Sequence, residues 1–421
     1  MMPREEPGPP GRHVVVIGAG AIGMGCAAYL QRDGHRVTVI DRQPPGMGCS
    51  WGNTGGLGDS SIPPISMPGV AAKVPKWLLD PTGPLALRWG HLPRLLPWLV
   101  RFIRAGRLDR VEAITDALTA LLKPSHAAWE PLFQAAGLGN LIHHSGVLHL
   151  YPDRAAFEAD SLQWKLRSDR GFHFETLDRA ALLEREPDIG PARTFAVYEA
   201  SWRRVADPYR IVKGLAEHFA REGGTIREAD VTGFEAANGI VRAAHLGGGT
   251  IQADAFVIAG GAWSHRLSTQ LGDPAPLESQ RGYHVTFPDP GVEVRHLLLD
   301  TVAKMAVTPM EMGLRAGGTS EFAGLDAPPN WRRAETLVTW SRGLFPALDT
   351  AGHTRWSGDR PLLPDTLPAI GPSPHFANAY YAFGHSHVGL ALGGMTGRLI
   401  ADLVAGRTPG IDLTPYRIDR F

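Results

Sequence analysis

Near the start of the chain, hydrophobic residues fall into two short runs separated by a helical pattern. Residues 14–17 are apolar, and so are residues 37–40 apart from Thr38, as expected of buried strands, and the segment between them carries apolar residues at helical spacing. A strand, a helix and a second strand in this order form one unit of a parallel sheet, because parallel neighbours need a crossover connection. The pattern therefore predicts an α/β domain that begins near residue 13.

Further along the chain the period of the apolar positions changes several times. Helical spacing predicts helices over residues 109–122, 125–136, 155–170 and 392–404, and another that starts at Pro208 and breaks at Gly223. Apolar or alternating runs predict strands in residues 145–153, 255–259 and 379–383, and further strands between residues 282 and 310 favour an antiparallel sheet. The predicted fold class is α/β, with a Rossmann-like parallel-sheet domain that is discontinuous in sequence and an α+β substrate domain with an antiparallel sheet.

The predicted domains follow from this reading. The parallel-sheet domain is expected to contain residues 13–75, 196–268 and 352–421, and the substrate domain residues 76–195 and 269–351. Residues 1–12 are rich in proline, glycine and charge, so they are expected to form a disordered tail. Residues 47–69 are rich in glycine, serine and proline and are expected to form an extended loop, which in a compact domain is often functional.

Residues 85–105 combine aromatic and aliphatic residues with Arg88, Arg94, Arg101 and Arg104, and Pro93 and Pro97 interrupt the pattern. Two hypotheses fit this amphipathic stretch. The first is a helix that packs on the protein with its arginines in solvent, and the second is a surface that contacts a membrane.

A glycine motif lies at the junction of the first strand and helix. Gly18, Gly20 and Gly23 have the G-x-G-x-x-G spacing, and Asp41 ends the second strand. In such a unit the glycines allow a tight turn, close approach of a pyrophosphate and close helix packing, and the acid accepts hydrogen bonds from a ribose. The motif predicts a dinucleotide site and leaves open whether the cofactor is NAD or FAD.

Composition excludes several other classes. The 42 basic and 42 acidic side chains balance, so nothing favours binding to nucleic acid. The chain has two cysteines, Cys26 and Cys49, too few for a disulfide framework, and no cysteine spacing typical of a metal site. We therefore expect a cytoplasmic protein without a metal site. If residues 85–105 form a membrane contact, the protein is expected to lie on the inner face of the membrane.

The ordered set of motifs resembles the FAD-dependent D-amino-acid oxidase and dehydrogenase family, which includes glycine oxidase, sarcosine oxidase and D-hydroxyproline dehydrogenases. Among its members, the chain is most similar to bacterial D-amino-acid dehydrogenases. The resemblance covers residues 13 to about 405. The motifs on which it rests are VVVIGAGAIGMGCAAYL, CSWGNTGG, ADPYRIVKGLA, FVIAGGAWS, RGYHVTF, GDRPLLPDTLPAIG and YYAFGHSHVGLALGG.

The resemblance implies FAD as the cofactor and a set of residues that hold it. These are Gly18, Gly20, Gly23, Asp41, Arg42, Ser50, Asn53, Gly55, Gly56, Gly260, Gly261, Gly384, His385, Gly389 and Leu390. Some relatives link their flavin covalently through Cys or His; no counterpart is found here, so non-covalent binding is expected, with Cys49 read as a small apolar filler. The helix after Gly384 is expected to point its positive end at the flavin pyrimidine ring, where reduction adds negative charge.

The resemblance also implies catalytic residues. Arg360 matches the arginine that pairs with the substrate carboxylate, although it could instead tie two loops together. Tyr283 and His284 are expected to face the catalytic pocket, and His385 is expected to lie at the flavin. The alternative for His385 and His387 is that they are loop histidines that hydrogen-bond to the backbone. No match is found around residues 304–307 for the tyrosine that helps to hold the carboxylate in glycine oxidase.

The implied reaction is oxidation of a D-amino acid, or of a cyclic secondary amine such as D-proline or D-hydroxyproline. Hydride passes from Cα to flavin N5, and the imine gives a 2-oxo acid and ammonia, or a cyclic imino acid from a ring. His284 is a candidate for removing the amine proton. The implied partners are an amino-acid substrate and an electron acceptor, either oxygen or a quinone. The alternatives are a sarcosine-type N-methyl amino-acid oxidase, an NAD-dependent dehydrogenase and a non-catalytic subunit that uses FAD structurally.

Overall fold

The computed structural model describes residues 11–80 and 82–421. Most of the tail predicted over residues 1–12 lies outside the described residues. The strands are β1 His13–Ile17, β2 Arg36–Asp41, β3 Gly56–Leu57, β4 Leu85–Leu87, β5 Ile142–His143, β6 Val147–Tyr151, β7 Glu175–Leu177, β8 Phe195–Glu199, β9 Arg203–Val205, β10 Thr225–Glu228, β11 Val231–Ala237, β12 Ile240–Leu246, β13 Gly249–Gln252, β14 Ala255–Ile258, β15 Glu278–Phe287, β16 Leu297–Asp300, β17 Met305–Met310, β18 Gly313–Phe322, β19 Thr354–Leu362, β20 Ala369–Pro372 and β21 Ala379–Phe383.

The α-helices are α1 Ala21–Arg32, α2 Val70–Leu79, α3 Leu92–Ala105, α4 Leu108–Leu122, α5 Ser125–Ala136, α6 Arg154–Glu158, α7 Ser161–Asp169, α8 Arg179–Arg185, α9 Pro208–Arg221, α10 Ser264–Gln270, α11 Arg332–Leu344 and α12 Gly389–Val404. Local chemistry explains several of their ends. Asp207 caps α9 by accepting a hydrogen bond from the Tyr209 N–H at 2.8 Å, and Pro208 occupies the first helical position. Helix α5 ends before Gly137, which adopts the left-handed conformation that favours glycine.

A six-stranded sheet has the order β10-β2-β1-β14-β21-β20, and every neighbouring pair is parallel except β20 and β21. The strand order reverses direction around β1, because β2 lies on one side of it and β14 on the other. In open α/β sheets such a switch point, at the carboxyl ends of the strands, is where ligands bind. The predicted parallel sheet is confirmed.

A nine-stranded sheet has the order β19-β15-β18-β17-β16-β6-β8-β7, with β4 also paired to β18. Most neighbours are antiparallel, as predicted, but β16 with β6 and β18 with β4 are parallel. Helix α11 packs against β15 and β18 on one face of this sheet. The other face is turned towards the loop that follows β2, and this face forms one wall of the candidate site. The predicted α+β layer is confirmed.

Helices α1 and α12 approach each other closely through glycines. A Cβ added to Gly25 would lie 2.2 Å from the carbonyl oxygen of Gly393, and one added to Gly397 would lie 2.3 Å from the carbonyl oxygen of Gly25. A side chain at either position would push the helices apart, since real Cβ atoms do not come so near to a backbone oxygen. The contact fixes α12 against the helix that starts at the glycine motif.

Two predicted elements differ from the structure. In the predicted amphipathic stretch 85–105, β4 precedes α3, because Leu85 pairs with Ser320 and extends the large sheet. The predicted helix 155–170 is two helices, α6 and α7. It is interrupted beside Asp160, whose carboxylate accepts a hydrogen bond from the Tyr151 hydroxyl at 2.9 Å, a tertiary contact that period alone does not reveal.

The sheets also show where the predicted domain segments lie. Strands β8 and β19 fall in ranges predicted for the parallel-sheet domain, yet they belong to the nine-stranded sheet. Helices α4 and α5 fall in a range predicted for the substrate domain, yet their apolar faces share a core with α1 and α12. The domain boundaries stay a prediction.

Candidate active site and cofactor cavity

A cavity of about 1110 Å³ lies between the carboxyl ends of β1, β2 and β14 and the nine-stranded sheet. Of the predicted site residues, those that line it are Gly18, Gly20, Asp41, Arg42, Ser50, Asn53, Gly56, Gly260, Gly261, Tyr283, Arg360, Gly384, His385, Gly389 and Leu390. Gly23, Gly55 and His284 lie outside the lining. The structure thus brings residues from the two ends and the middle of the chain to one cavity.

The three glycines of the motif occupy three different environments. Gly18 has φ +113°, and a Cβ there would lie 2.3 Å from the Ala259 carbonyl oxygen in the neighbouring turn. A Cβ on Gly23 would lie 1.8 Å from the Gly18 carbonyl oxygen, so only glycine lets α1 start directly above this turn. A Cβ on Gly20 would meet no atom nearer than Ser50 Oγ at 3.4 Å, so the space beside Gly20 is open to a ligand.

Polar groups around this turn fix the edge of the cavity. The carboxylate of Asp41 accepts a hydrogen bond from the Ala19 N–H at 2.7 Å, and Ser50 Oγ accepts one from the Ala21 N–H at 3.0 Å. The guanidinium of Arg42 lies 3.8 Å from the centre of the Trp263 ring, a cation–π contact that closes the cavity beside Asp41. Trp263 follows Gly260 and Gly261 at the end of β14.

The loop after β2 forms the part of the wall closest to the large sheet. Asn53 Oδ1 accepts a hydrogen bond from the Gly55 N–H at 2.7 Å, and Gly55 has φ +77°, so the two residues form a tight turn. The Cys49 thiol donates to the Asp359 carbonyl at 2.9 Å, and burial raises the pKa of Cys49 to about 12. Cys49 is therefore a protonated thiol that joins the loop to β19.

The N-terminus of α12 lies at the cavity. Gly389, Leu390 and Ala391 line it, and the first N–H groups of a helix have no partner within the helix. His385 precedes this helix, and its Nε2 is 2.9 Å from Thr396 Oγ1. Burial lowers the pKa of His385 to about 3, and the exclusion of water together with the charge of Arg360 lowers the pKa of His387 to about 4. Both imidazoles are neutral at physiological pH.

Arg360 stands in the opposite wall, on β19. Its guanidinium lies over Gly282 of β15, where an added Cβ would be 2.2 Å from Cζ, and desolvation lowers the pKa of Arg360. Within residues 11–80 and 82–421 the guanidinium makes no hydrogen bond or ion pair. The geometry therefore does not support the alternative that Arg360 ties two loops together, and its pairing with a substrate carboxylate stays a prediction.

Sequence reasoning missed Gln280 and Trp356 in this wall. Gln280 is the direct partner of Arg360 in the pairing of β15 with β19, and its side-chain amide makes no hydrogen bond within the part of the chain that is described. Trp356 lies on the same strand as Arg360 and also lines the cavity. Neither residue belongs to a motif, and only the strand register shows that they share a face with Arg360.

Tyr283 and His284 do not face the same side, contrary to expectation, because successive side chains of a strand point to opposite faces. Tyr283 packs in the core on the α11 side and reaches the cavity edge, with its hydroxyl bound to Glu321 and to the Asn330 N–H. His284 stacks between Trp51 and Trp356, with ring centres 5.5 Å and 5.2 Å away. Burial lowers the pKa of His284 to about 3.

The residues present fit a dinucleotide. The open space at Gly20, the N-terminus of α1 and the acid at the end of β2 suit a pyrophosphate and a ribose, and the N-terminus of α12 suits a group that gains negative charge. The fold and the cavity therefore define a dinucleotide-dependent oxidoreductase.

The comparisons with known proteins agree. Residues 13–403 match the family model described as FAD dependent oxidoreductase, and the chain belongs to this family. It is 42% identical to a D-amino-acid oxidase of Bradyrhizobium diazoefficiens over 98% of this chain and 100% of that one. It is 31% identical to a D-amino acid dehydrogenase of Xanthobacter autotrophicus over 97% and 99% of the two chains. The crystal structure of glycine oxidase from Geobacillus kaustophilus has a similar fold, with a TM-score of 0.74, 23% identity and coverage of 98% and 100%.

Proposed function

We propose that the protein oxidises the Cα–N bond of a D-amino acid, with the guanidinium of Arg360 holding the substrate carboxylate. The observation that carries the proposal is the guanidinium of Arg360, which lies in the wall of the cavity and has no hydrogen-bond or ion-pair partner among the described residues. A charge removed from water is costly unless a partner compensates it, so the site calls for an anionic ligand. The relatives named D-amino-acid oxidase and D-amino acid dehydrogenase support a D-amino acid.

Arg360 and Gln280 supply the groups that orient such a substrate. A planar guanidinium meets a carboxylate with two parallel hydrogen bonds, which fixes the direction of Cα as well as its position. The Gln280 amide, next to Arg360 across the strand pair, is placed to hydrogen-bond the substrate amine or carboxylate. When bound, FAD supplies the acceptor for the hydride that leaves Cα.

The histidines of the cavity are proposed to position groups without moving protons. His385 and His387 have pKa values lowered to about 3 and about 4, so neither carries a proton to donate at pH 7. His284 donates from Nδ1 to the Gly52 carbonyl at 3.0 Å and lies outside the cavity lining, which argues against it as the base. The substrate amine is therefore expected to lose its proton to solvent before it binds, and the imine product is hydrolysed by water to a 2-oxo acid and ammonia.

We assign the remaining lining residues predicted from sequence to the cofactor. Gly18, Gly20 and Asp41 would hold the pyrophosphate and ribose, Arg42 with Trp263 would cover the same end, and the α12 N-terminus would face the flavin ring. Non-covalent binding is supported by the Cys49 thiol, which is protonated and bound to a carbonyl. Acid precipitation of the purified protein tests this point: free flavin in the supernatant is expected, and flavin in the pellet would contradict it.

The experiment that tests the function is anaerobic reduction. The purified yellow protein is mixed with D- and L-amino acids, D-proline, D-hydroxyproline and sarcosine, and the visible flavin band is recorded. Bleaching by a D-amino acid and not by its L-enantiomer is expected. Bleaching by sarcosine with release of formaldehyde would favour an N-methyl amino-acid oxidase instead, and a flavin that no compound bleaches would contradict the proposal.

We propose in addition that α3 contacts a membrane surface, so that electrons can pass to a quinone as an alternative to oxygen. Leu95 and Trp98 of α3 are buried, but Trp89, Leu96, Val100 and Ile103 are exposed by 66%, 50%, 46% and 55%. Arg94, Arg101 and Arg104 are exposed among them. An apolar stripe flanked by arginines suits the inner face of an anionic bilayer. Among the described residues, no helix is long and apolar enough to span a bilayer.

Sedimentation with lipid vesicles tests this contact. The protein is expected to bind vesicles that contain anionic lipid and to be released by salt, and replacement of Arg94, Arg101 and Arg104 by Gln should abolish binding. Replacement of three other exposed arginines, Arg36, Arg221 and Arg242, is the matched control. Equal binding of both triple variants, or no binding of the unmodified protein, would contradict the proposal.

A further inference from the structure

Five consecutive carbonyls in the loop after β2 are turned away from the cavity. Arg315 Nη1 donates to the carbonyl oxygens of Trp51, at 3.0 Å, and Asn53, at 2.9 Å, and His284 Nδ1 donates to that of Gly52 at 3.0 Å. The Thr308 hydroxyl donates to the Thr54 carbonyl at 2.7 Å, and the Val205 N–H donates to the Gly55 carbonyl at 2.8 Å. Such a complete set is unusual for a loop, because loop carbonyls are ordinarily satisfied in part by water.

The three side-chain donors share one face of the nine-stranded sheet. Arg315 pairs directly with Thr308 on one side and Thr286 on the other, and His284 pairs with Gly317, two residues along β18. Residues that face each other or alternate by two in a sheet point to the same side. This face is therefore shaped to receive the carbonyl side of residues 51–55.

Arg315 is an exceptional member of the set. Only 2% of it is exposed, and its hydrogen bonds within the described residues go to two carbonyls and, from Nε, to Thr286 Oγ1 at 3.3 Å. Burial lowers its pKa to about 10. The Asp207 carboxylate and the Trp51 ring, whose centre is 5.4 Å from Cζ, offset only part of the cost of burial, since the pKa is still lowered. A buried cation whose hydrogen bonds go to neutral oxygens costs stability that a leucine would not, so its presence calls for an explanation beyond packing.

The geometry of the peptide unit supplies that explanation. The peptide is planar and trans, so a carbonyl that points to the sheet directs the N–H of the next residue the other way. The carbonyls of Trp51 and Asn53 therefore direct the N–H groups of Gly52 and Thr54 towards the cavity, which both residues line. Neither N–H has a hydrogen-bond partner within the described residues.

We propose that Arg315 is a positioning residue for the cofactor: by holding the carbonyls of Trp51 and Asn53, it presents the N–H groups of Gly52 and Thr54 to the flavin. His284 and Thr308 complete the same clamp. This inference rests on the proposed placement of FAD in the cavity. Donors aimed at a flavin stabilise the negative charge that reduction adds, so the clamp acts on cofactor affinity and on the flavin midpoint potential.

The test compares Arg315→Met with Arg315→Lys in the FAD-loaded protein. The measurements are the FAD dissociation constant, the flavin midpoint potential and thermal unfolding of the loaded and FAD-free forms. Met is expected to raise the dissociation constant about tenfold or more and to make the potential more negative, and Lys, which keeps donors on a flexible stem, to recover part of both changes. If Met lowers thermal stability but leaves affinity and potential unchanged, or if Lys recovers neither, Arg315 has only a structural role.

A second pair keeps the test decisive if Arg315→Met does not fold. Thr308→Val removes one hydrogen bond of the clamp at nearly constant volume, and Thr308→Ser keeps it. The Val variant is expected to bind FAD about threefold more weakly, and the Ser variant to bind it like the unmodified protein. If the Val and Ser variants bind FAD equally well, the proposed clamp is wrong. An unmodified protein that binds no FAD would instead overturn the placement of the cofactor on which the inference rests.

Discussion

The two walls of the cavity are built from different parts of the chain. At the ends of the parallel strands, the wall is main chain: the turns at Gly18 and Gly260 and the N-termini of α1 and α12. On the nine-stranded sheet, it is side chain: Arg360, Gln280 and Trp356 project from strands. The main-chain wall suits the shared parts of a dinucleotide, whose phosphates need only N–H groups, whereas the side-chain wall can change with the substrate.

The difference also determines how each wall responds to mutation. At Gly18 and Gly23 of the main-chain wall, a single added methyl group collides with backbone, which cannot move without disturbing the sheet. At Gly282 of the side-chain wall, the same methyl group would meet only the end of the flexible Arg360 side chain, so we expect the fold to be preserved. Four substitutions in the two walls test these expectations, from the largest expected effect to the smallest.

Gly23→Ala is expected to have the largest effect. The new Cβ would lie 1.8 Å from the Gly18 carbonyl oxygen, so α1 must move off the turn, with a loss of more than about 4 kcal/mol in the free energy of unfolding. Gly20→Ala is the control, because its Cβ meets nothing nearer than 3.4 Å; it should fold and bind FAD more weakly. Thermal unfolding and FAD content are measured. A Gly23→Ala protein as stable as the control would refute the main-chain account.

Arg360→Met is expected to leave the fold and the FAD content unchanged and to lower kcat/KM by about 10²–10³-fold, because under the proposed function the substrate carboxylate loses its charged partner. Arg355→Met, on the same strand but exposed and paired with Glu335, is the control and should change kcat/KM less than about twofold. Steady-state kinetics with the best D-amino acid decide between them. Equal kinetics for the two variants would remove Arg360 from the substrate site.

His385→Asn is expected to change the pH dependence of stability. Burial lowers the pKa of His385 from 6.5 to about 3, so between these values the unfolded chain binds a proton that the folded protein does not. Stability is therefore fully present above pH 6.5 and falls by about 1.4 kcal/mol per unit as the pH falls towards 3. Urea unfolding between pH 7 and 4.5 should show a shallower slope of stability against pH for His385→Asn than for the unmodified protein, with the exposed His173→Asn as the matched control. If the free energy of unfolding depends on pH with the same slope in both variants, His385 is not a buried neutral imidazole.

Gly282→Ala is expected to have the smallest effect. Its Cβ would lie 2.2 Å from the Arg360 guanidinium, which is the far end of a flexible side chain and can shift. KM should rise by several-fold with kcat/KM falling in parallel, while the free energy of unfolding changes by less than about 1 kcal/mol. A change in stability comparable to that of Gly23→Ala would mean that the two walls are equally rigid.

The same contrast explains what the sequence could and could not predict. Gly18, Gly20, Gly23 and Asp41 could be predicted because a main-chain site requires glycine at fixed spacing. In the structure Gly18 has a positive φ, Gly23 packs against the turn and the space beside Gly20 is open, and their role in binding a cofactor stays a prediction. The residues of a side-chain wall do not occur at a fixed spacing in the sequence, so no motif reveals them. Gln280 becomes visible only when β15 pairs with β19.

Alternation along strands accounts for the other differences. Tyr283 and His284 are neighbours on β15, so their side chains point to opposite faces: Tyr283 packs on the α11 side, and His284 is covered by the loop of residues 51–55. Arg315 follows the apolar Leu314 and precedes Ala316, a pattern that on sequence alone indicates a solvent-facing arginine. Its burial depends on the loop of residues 51–55, which is far away in sequence and is brought to the sheet only by folding.

The glycine contact between α1 and α12 has a consequence for biosynthesis. The helix that starts at the dinucleotide turn leaves the ribosome long before Gly393 and Gly397, against which its Gly25 packs. Until then the nascent chain has an incomplete core around α1, and contacts this distant in sequence form slowly. We therefore expect cofactor capture to wait until α12 has been made, and a truncation before α12 to yield aggregated, colourless protein.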